Sequence, residues 1–340
     1  MIGKLLVPLD GSALATAVLP YVAAITQALG ATMTLLQVLE CDDGPAGVVN
    51  PMDWQLRTLE AESYLQACSE RLAPCIAQPP AQQLIEGPAA KNIVKYAQKN
   101  AFDLVALSSH GQSGLTGWNA SSVVQKVIER ARLSLLLVRA YQPVPVATAE
   151  NACAFRYRRI LVPLDGSQRA EAVLPIVTAL ANDNAAELIF VHVVARPALI
   201  QQMPLAAEDV ALMEQMTERN RVQAAAYFAA LQARLPLASR HQIAVGTSVA
   251  ATLHQVVEEA DVDLVVLCAH GHSGQQQHPY GSVTTSFLTY GTTPLLIIQD
   301  LPPHEIPLSK AERMVDMAYD RSYAWQGLLN GQQMGANIAN

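Results

Sequence analysis

Short, unbroken apolar runs alternate along this chain with longer stretches in which apolar positions recur every three or four residues. Lys4–Leu9, Thr32–Leu39, Gln82–Glu86, Leu104–Ser108 and Leu135–Arg139 are runs of strand length, most of them rich in Leu, Val and Ile, the first ending at Asp-Gly. Helical periodicity fills the intervals from Ser12 to about Leu29, Met52 to Ala77, Ala89–Asn100 and Ser121–Arg132. Strands that alternate with helices imply right-handed βαβ crossovers and a parallel sheet. The lack of polar alternation inside the runs implies strands covered on both faces. Ser12 stands where a helix N-cap is expected. The stripe Leu56, Leu59, Tyr64 and Leu65 reads as core or inter-domain packing.

The whole order occurs twice. Leu5-Leu-Val-Pro-Leu-Asp-Gly-Ser12 returns as Ile160-Leu-Val-Pro-Leu-Asp-Gly-Ser167. Ser109-His110-Gly111-Gln-Ser113-Gly114 returns as Ala269-His270-Gly271-His-Ser273-Gly274. Strands are expected again near 159–164, 187–194, 240–245, 264–269 and 295–299. The fold class expected is α/β, with two tandem doubly wound domains at 1–140 and 157–300. A linker at 141–156 carries Pro143 and Pro145. A tail at 301–340, with a helix expected at Ser309–Leu329, has no counterpart in the first copy.

Composition narrows the function. The formal net charge is −7, and no Lys/Arg cluster stands out, which argues against a nucleic-acid partner. Gly11–Leu39 has no charged residue and resembles a membrane or signal segment. The matching stretch of the second copy carries Arg169, Glu171, Asp183 and Glu187, so a soluble, cytoplasmic chain is expected, without a membrane partner. Five cysteines without a Cys-x-x-Cys spacing suggest reduced thiols.

Both repeated motifs fall at carboxyl ends of strands, where open α/β sheets bind ligands. One loop is acidic and the other rich in Gly and Ser, a pair suited to a nucleotide. The carboxylate accepts from an amine or a ribose hydroxyl, while glycine and a following helix N-terminus receive phosphate. Asp-Gly-Ser after a strand also makes a plain turn and cap, and that reading stays open. No Gly-x-Ser-x-Gly elbow or Walker loop is present. His270, His272 and His278 do not have a recognised ligand spacing, so no metal site is expected, and Cys268 reads as a buried strand end.

The sequence of motifs resembles the universal stress protein family in its tandem form. They are Val-Pro-Leu-Asp-Gly-Ser, a Leu/Val-x-Val strand, Asp-Leu-Val-x-Leu-x-x-His-Gly-x-Ser-Gly and a closing apolar strand. The resemblance covers about residues 2–140 and 157–300 and implies five-stranded sheets of order 3-2-1-4-5. It also implies an adenine nucleotide, ATP or AMP, with or without Mg²⁺, bound with at most slow hydrolysis. Carried over by position, it places Pro8, Leu9 and Asp10, and Pro163, Leu164 and Asp165, by the adenine or ribose, with Val38 and Val193 lining the base pocket. Leu107 and Ser108, and Leu267, Cys268 and His270, lead into the phosphate loops. Gly111, Ser121 and Ser122, and Gly271, Gly281, Ser282 and Val283, would face phosphate.

Nucleotide-binding members carry Gly-x-x-Gly, nine residues, then Gly-Ser or Gly-Thr. The second copy has Cys268-Ala-His-Gly271, nine residues, then Gly281-Ser282. The first has Ser108-Ser-His-Gly111, nine residues, then Ser121-Ser122. If that later position needs a positive φ or close contact with phosphate, serine is penalised, and the second domain is the expected better site. From Gly271 to Asp300 there is no Lys or Arg, so phosphate there would rely on N–H groups, hydroxyls, a metal ion or a protonated histidine, with pH-dependent affinity. Two other functions remain open: an interaction module with vestigial pockets, and an ATP-using enzyme of related fold. The closing strands are expected to pair within one chain as a pseudo-dimer, and the tail helix to cap a surface or contact a second chain.

Overall fold

The structure is a computed structural model that describes residues 2–40, 50–111, 122–140, 153–197, 207–235, 237–272 and 279–301. The expected tail helix, Ser121, Ser113, Gly114, Ser273, Gly274 and His278 lie outside the described residues. The first half supplies β1 (Lys4–Leu9), β2 (Thr32–Leu39), β3 (Ala81–Glu86), β4 (Leu104–Ser108) and β5 (Ser134–Val138). The second supplies β6 (Arg159–Pro163), β7 (Glu187–Ala195), β8 (Ser239–Gly246), β9 (Leu264–Cys268) and β10 (Leu295–Ile298). They form one sheet in the order β3-β2-β1-β4-β5-β10-β9-β6-β7-β8.

Within each half the pairings are parallel, in the order 3-2-1-4-5. At the centre β5 and β10 pair antiparallel, with Leu136 opposite Leu296. The two sets of parallel strands therefore run in opposite directions, and their carboxyl ends lie at opposite edges of the sheet.

Helices cover both faces: α1 (Leu19–Leu29), α2 (Pro51–Leu72), α3 (Ala89–Lys99), α4 (Ser122–Ala131), α5 (Leu174–Asn184), α6 (Ala207–Arg234), α7 (Val249–Glu259) and α8 (Ser282–Tyr290). Successive strand residues point to opposite faces. Leu5, Val7, Leu104 and Ala106 accordingly pack in one core with α1, α2, α5 and α6. Leu6, Val105 and Leu107 pack in the other with α3, α4, α7 and α8.

Two local expectations are corrected. Ser12 does not open an α-helix. Its Oγ accepts the Ala15 N–H at 3.0 Å, a 3₁₀ turn follows over Ala15–Val18, and α1 starts at Leu19 with Pro20 in its first turn. Ser167 does the same for Ala170 at 3.1 Å. Proline is tolerated there because the first N–H groups of a helix have no partner within the helix. The stripe on α2 also divides. Leu65 is buried, whereas Leu56 and Leu59 are 57% and 56% exposed. The helix lies on the sheet by Ala61, Leu65, Cys68, Ser69 and Leu72, with Tyr64 packed beside them, and Leu56 and Leu59 are left open to solvent.

Side chains reinforce the central seam. Tyr280 OH donates to the Ile128 carbonyl at 3.0 Å, joining the approach to α8 with α4 of the other half. Arg139 is 1% exposed, and its Nη2 donates to the carbonyls of Phe287 at 3.1 Å and Leu288 at 2.8 Å. It places a cation at the carboxyl end of α8, where the helix dipole favours one. On the other face Tyr157 OH reaches the Tyr21 carbonyl at 3.3 Å, and the Phe155 ring packs tilted against Tyr21 with centroids 4.5 Å apart.

The cysteine expectation is overturned. Cys75 and Cys153 form a disulfide, with Cα atoms 4.8 Å apart and a sequence separation of 78. Cys75 ends the 3₁₀ turn after α2, and Cys153 precedes Phe155 as the chain enters the second half. Only the tertiary path brings them together, so no local spacing announces the pair. The inference of a cytoplasmic setting from cysteine usage loses its support, because such bonds are rare in reducing compartments. Closing so long a loop constrains the unfolded chain by about 4 kcal/mol in the chain-entropy account. Cys153→Ser is expected to lower Tm by about 5 to 10 °C without reductant. Calorimetry with and without dithiothreitol checks this, and reductant should bring the native chain down to the variant's Tm.

Candidate functional site

In each half the repeated aspartate follows the first strand, at the point where the strand order reverses. Asp10 follows β1, which lies between β2 and β4, and Asp165 follows β6, which lies between β7 and β9. Asp10 Oδ1 accepts the Ser12 N–H at 3.0 Å, and Asp165 Oδ1 accepts the Ser167 N–H at 2.9 Å. Gly11 and Gly166 make these turns possible with φ of +86° and +83°, values that residues with a Cβ rarely adopt. The turn reading of Asp-Gly-Ser is therefore realised in both copies.

The same carboxylates also meet the second loop. Asp165 Oδ2 accepts the His272 N–H. A Cβ on Gly111 would run into Asp10 Oδ2, and one on Gly271 into Asp165 Oδ2. The two loops thus converge through a contact that only glycine allows. Burial acts to raise the Asp165 pKa, but the Ser167 and His272 hydrogen bonds outweigh it and hold the carboxyl below its usual value.

A cavity of about 540 Å³ opens at this edge of the first half. Pro8, Leu9, Asp10, Val38, Leu107, Ser108, Gly111 and Ser122 all line it. Ser108 Oγ donates to the Leu14 carbonyl at 2.9 Å, so its hydroxyl serves the fold. A further wall, not foreseen from the motifs, comes from Gln37 and Glu40 at the end of β2 and from Arg57, Glu60, Ala61 and Tyr64 of α2. Arg57 Nη2 donates to the Glu40 carbonyl at 3.0 Å, and Tyr64 OH to the Ser12 carbonyl at 3.0 Å. The i, i+3, i+4, i+7 spacing of these α2 residues was the available signal. Tyr64 belongs to both this wall and the aliphatic stripe, whose Leu56 and Leu59 face solvent.

In the second half Pro163, Leu164 and Asp165 close β6, Val193 lies in β7, and Leu267 and Cys268 end β9 beside Gly271. Burial, with the Asp300 charge adding to it, pushes the Cys268 thiol up to about 12. His192 occupies the position of Gln37, with Nδ1 2.8 Å from the Leu164 carbonyl oxygen. Gly281 is the N-cap of α8, with Ser282 and Val283 in the first turn. Its φ is −71°, so the positive-φ argument against serine at the matching position does not hold. Close approach remains, since a Cβ there would lie 3.4 Å from the Ala269 carbonyl oxygen. Among the described residues no group of His, Cys, Asp or Glu is placed to hold a metal ion.

The universal stress protein family model matches residues 1–139 and again 156–299. The chain belongs to the universal stress protein family. In fold it is similar to a universal stress protein from Archaeoglobus fulgidus, with 17% identity, a TM-score of 0.55, and coverage of 87% of this chain and 98% of that one. It is also similar to a functionally unknown protein from Pseudomonas aeruginosa, with 13% identity, a TM-score of 0.57, and coverage of 90% and 94%. No curated protein matches the chain. Among the described residues no helix is long and apolar enough to cross a membrane.

The two universal stress protein domains brace their loops differently. In the first, Ser109 Oγ accepts the Ala140 N–H at 3.1 Å and lies 3.0 Å from His110 Nδ1. In the second, His270 is buried, with Nδ1 2.7 Å from Asp300 Oδ1, and Arg169 lies 3.6 Å from the same carboxylate. The His270 ring, expected by the ligand, is instead held beneath the loop. It does not supply the phosphate-facing imidazolium that the pH-dependence argument needed, and His272 is the exposed one of the pair. Burial acts to raise the Asp300 pKa, and the hydrogen bond and charge of His270, with Arg169, outweigh it and hold the carboxyl below its usual value. A depressed carboxylate stabilises fully above its unfolded value of about 3.9, and the contribution fades as pH falls through the lower folded value. Asp300→Asn should therefore lower Tm near pH 7, with the difference from the native chain shrinking below about pH 4. Thermal melts across that range check it.

Proposed function

We propose that this protein binds an adenine nucleotide, ATP or AMP, at the carboxyl end of the sheet in each half, as a stress-response binding protein. The observation that carries the reading is the first-half cavity, where Asp10, Val38, Gly111 and Ser122 line one space of about 540 Å³. That volume lies within the usual range for small-molecule pockets. A carboxylate stands at one side to accept from ribose hydroxyls. The start of α4 stands at the other, offering N–H groups and a positive dipole end to phosphate. Gly111 keeps the surface between them free of a side chain.

The second half is proposed as the tighter site, because Gly281 admits phosphate closer to the backbone than Ser121 would. Hydrolysis is proposed to be slow at most, since the carboxylates are tied to backbone N–H groups of their own turns. Mass spectrometry of small molecules released on denaturation should detect AMP or ATP. Calorimetric titration of ATP should show Asp165→Ala losing more affinity than Asp10→Ala, with the double variant weakened by tenfold or more, about 1.4 kcal/mol. A native chain that takes up no nucleotide, or a double variant that binds as the native chain does, would overturn the reading.

A further inference from the structure

Gln37 lies on the first-half cavity wall and is not explained by the fold. It sits in β2 opposite Leu9, between Leu36 and Val38, and is 7% exposed. Its Oε1 is buried and has no hydrogen-bond partner among the described residues, and its Nε2 lies beside Gly11. An apolar side chain would fill such a place without the cost of an unpaired amide oxygen. The second half shows what a residue serving the fold does here, since His192 reaches the carbonyl of the first strand's end. Gln37 forms no equivalent bond.

No described wall residue satisfies the amide oxygen, and Gln37 stands among the residues lining the cavity. Gly11 presents no side chain beside it, and the Tyr64 hydroxyl is turned to the Ser12 carbonyl. A primary amide sets an acceptor next to donors, and rotation about its last torsion exchanges them. Its complement is an edge with an adjacent donor and acceptor. Adenine offers one in its exocyclic amine beside a ring nitrogen, the pairing by which glutamine reads adenine elsewhere. At that edge, the amine with N7, a 6-oxo purine puts an acceptor in the amine's place beside the N7 acceptor, so neither amide rotamer satisfies both.

We propose that Gln37 is a specificity-determining residue of the first half, its amide reading the amino edge of adenine and rejecting 6-oxo purines. This rests on the reading that the cavity takes a nucleotide. It also implies that the halves differ in base selectivity, because His192 is committed to Leu164.

The test uses the full chain carrying Gly271→Val, which drives a side chain into Asp165 and closes the second site. ATP, ITP and 2′-deoxy-ATP are titrated calorimetrically with and without Gln37→Leu. The expected result is ATP bound about tenfold or more tighter than ITP, a preference lost in Gln37→Leu, with 2′-deoxy-ATP behaving as ATP in this respect. The apo Tm of Gln37→Leu should equal or exceed that of its parent, since an unpaired buried acceptor is removed. An ATP to ITP ratio unchanged by Gln37→Leu overturns the inference while leaving nucleotide binding intact. So does a ratio near one in the parent, or a loss confined to the 2′-hydroxyl. Binding by the native chain that vanishes in Gly271→Val also overturns it, because the first cavity would then take no nucleotide. No binding by the native chain overturns the underlying reading itself.

Discussion

The antiparallel pairing of β5 with β10 is the constraint on which the rest of the molecule depends. Each half alone would end in a strand of buried aliphatic residues with an open row of backbone N–H and C=O groups, a template for aggregation. Joined at Leu136 and Leu296, the two edges satisfy each other and make one sheet of ten strands. The direction of that pairing reverses one half relative to the other. It therefore decides that the two candidate sites lie at opposite edges of the sheet and cannot share a single ligand.

Around this seam the two copies have specialised. Arg139 caps α8 of the second half, while the matching Gln299 bonds to Ser134 and Pro279. Beneath the glycine loops, the first half uses a Ser109–His110 pair and the second a buried His270–Asp300 pair with Arg169 beside it. A half-buried disulfide ties the end of α2 to the chain entering β6. These substitutions leave the backbone plan intact but change what holds each loop in place. The equivalent β2 and β7 positions follow the same pattern, with Gln37 holding an unpartnered buried oxygen on the cavity wall of one half and His192 bonded to the strand end in the other.

The contact between aspartate and glycine is the common element that both halves keep. Asp10 and Asp165 each hold the turn after the first strand and lie against the glycine of the loop after the fourth. A larger residue at Gly111 or Gly271 would displace the carboxylate from its own turn, so the turn and the loop are one mechanical unit. This explains why a motif that reads as a simple turn recurs beside one that reads as a phosphate loop.

Strand and helix order, the repeat and the parallel sheet were legible in the sequence because they follow from short-range periodicity, which each segment carries by itself. The residues bordering the first cavity from β1, β4 and Val38 were legible for a related reason: strand ends at a topological switch converge in any doubly wound sheet. What the tertiary structure decided depends on pairs distant along the chain. Periodicity marks a helix but not which side meets the sheet, so Arg57 and Glu60 were missed, Tyr64 was read as packing without its place on the cavity wall, and Leu56 and Leu59 turned out to face solvent. No spacing rule predicts Cys75 with Cys153, or Asp300 beneath His270, because folding alone brings them within bonding distance. The backbone angle of Gly281 likewise came from the packing of α8 against Ala269, and it removed a steric argument that residue type alone had suggested.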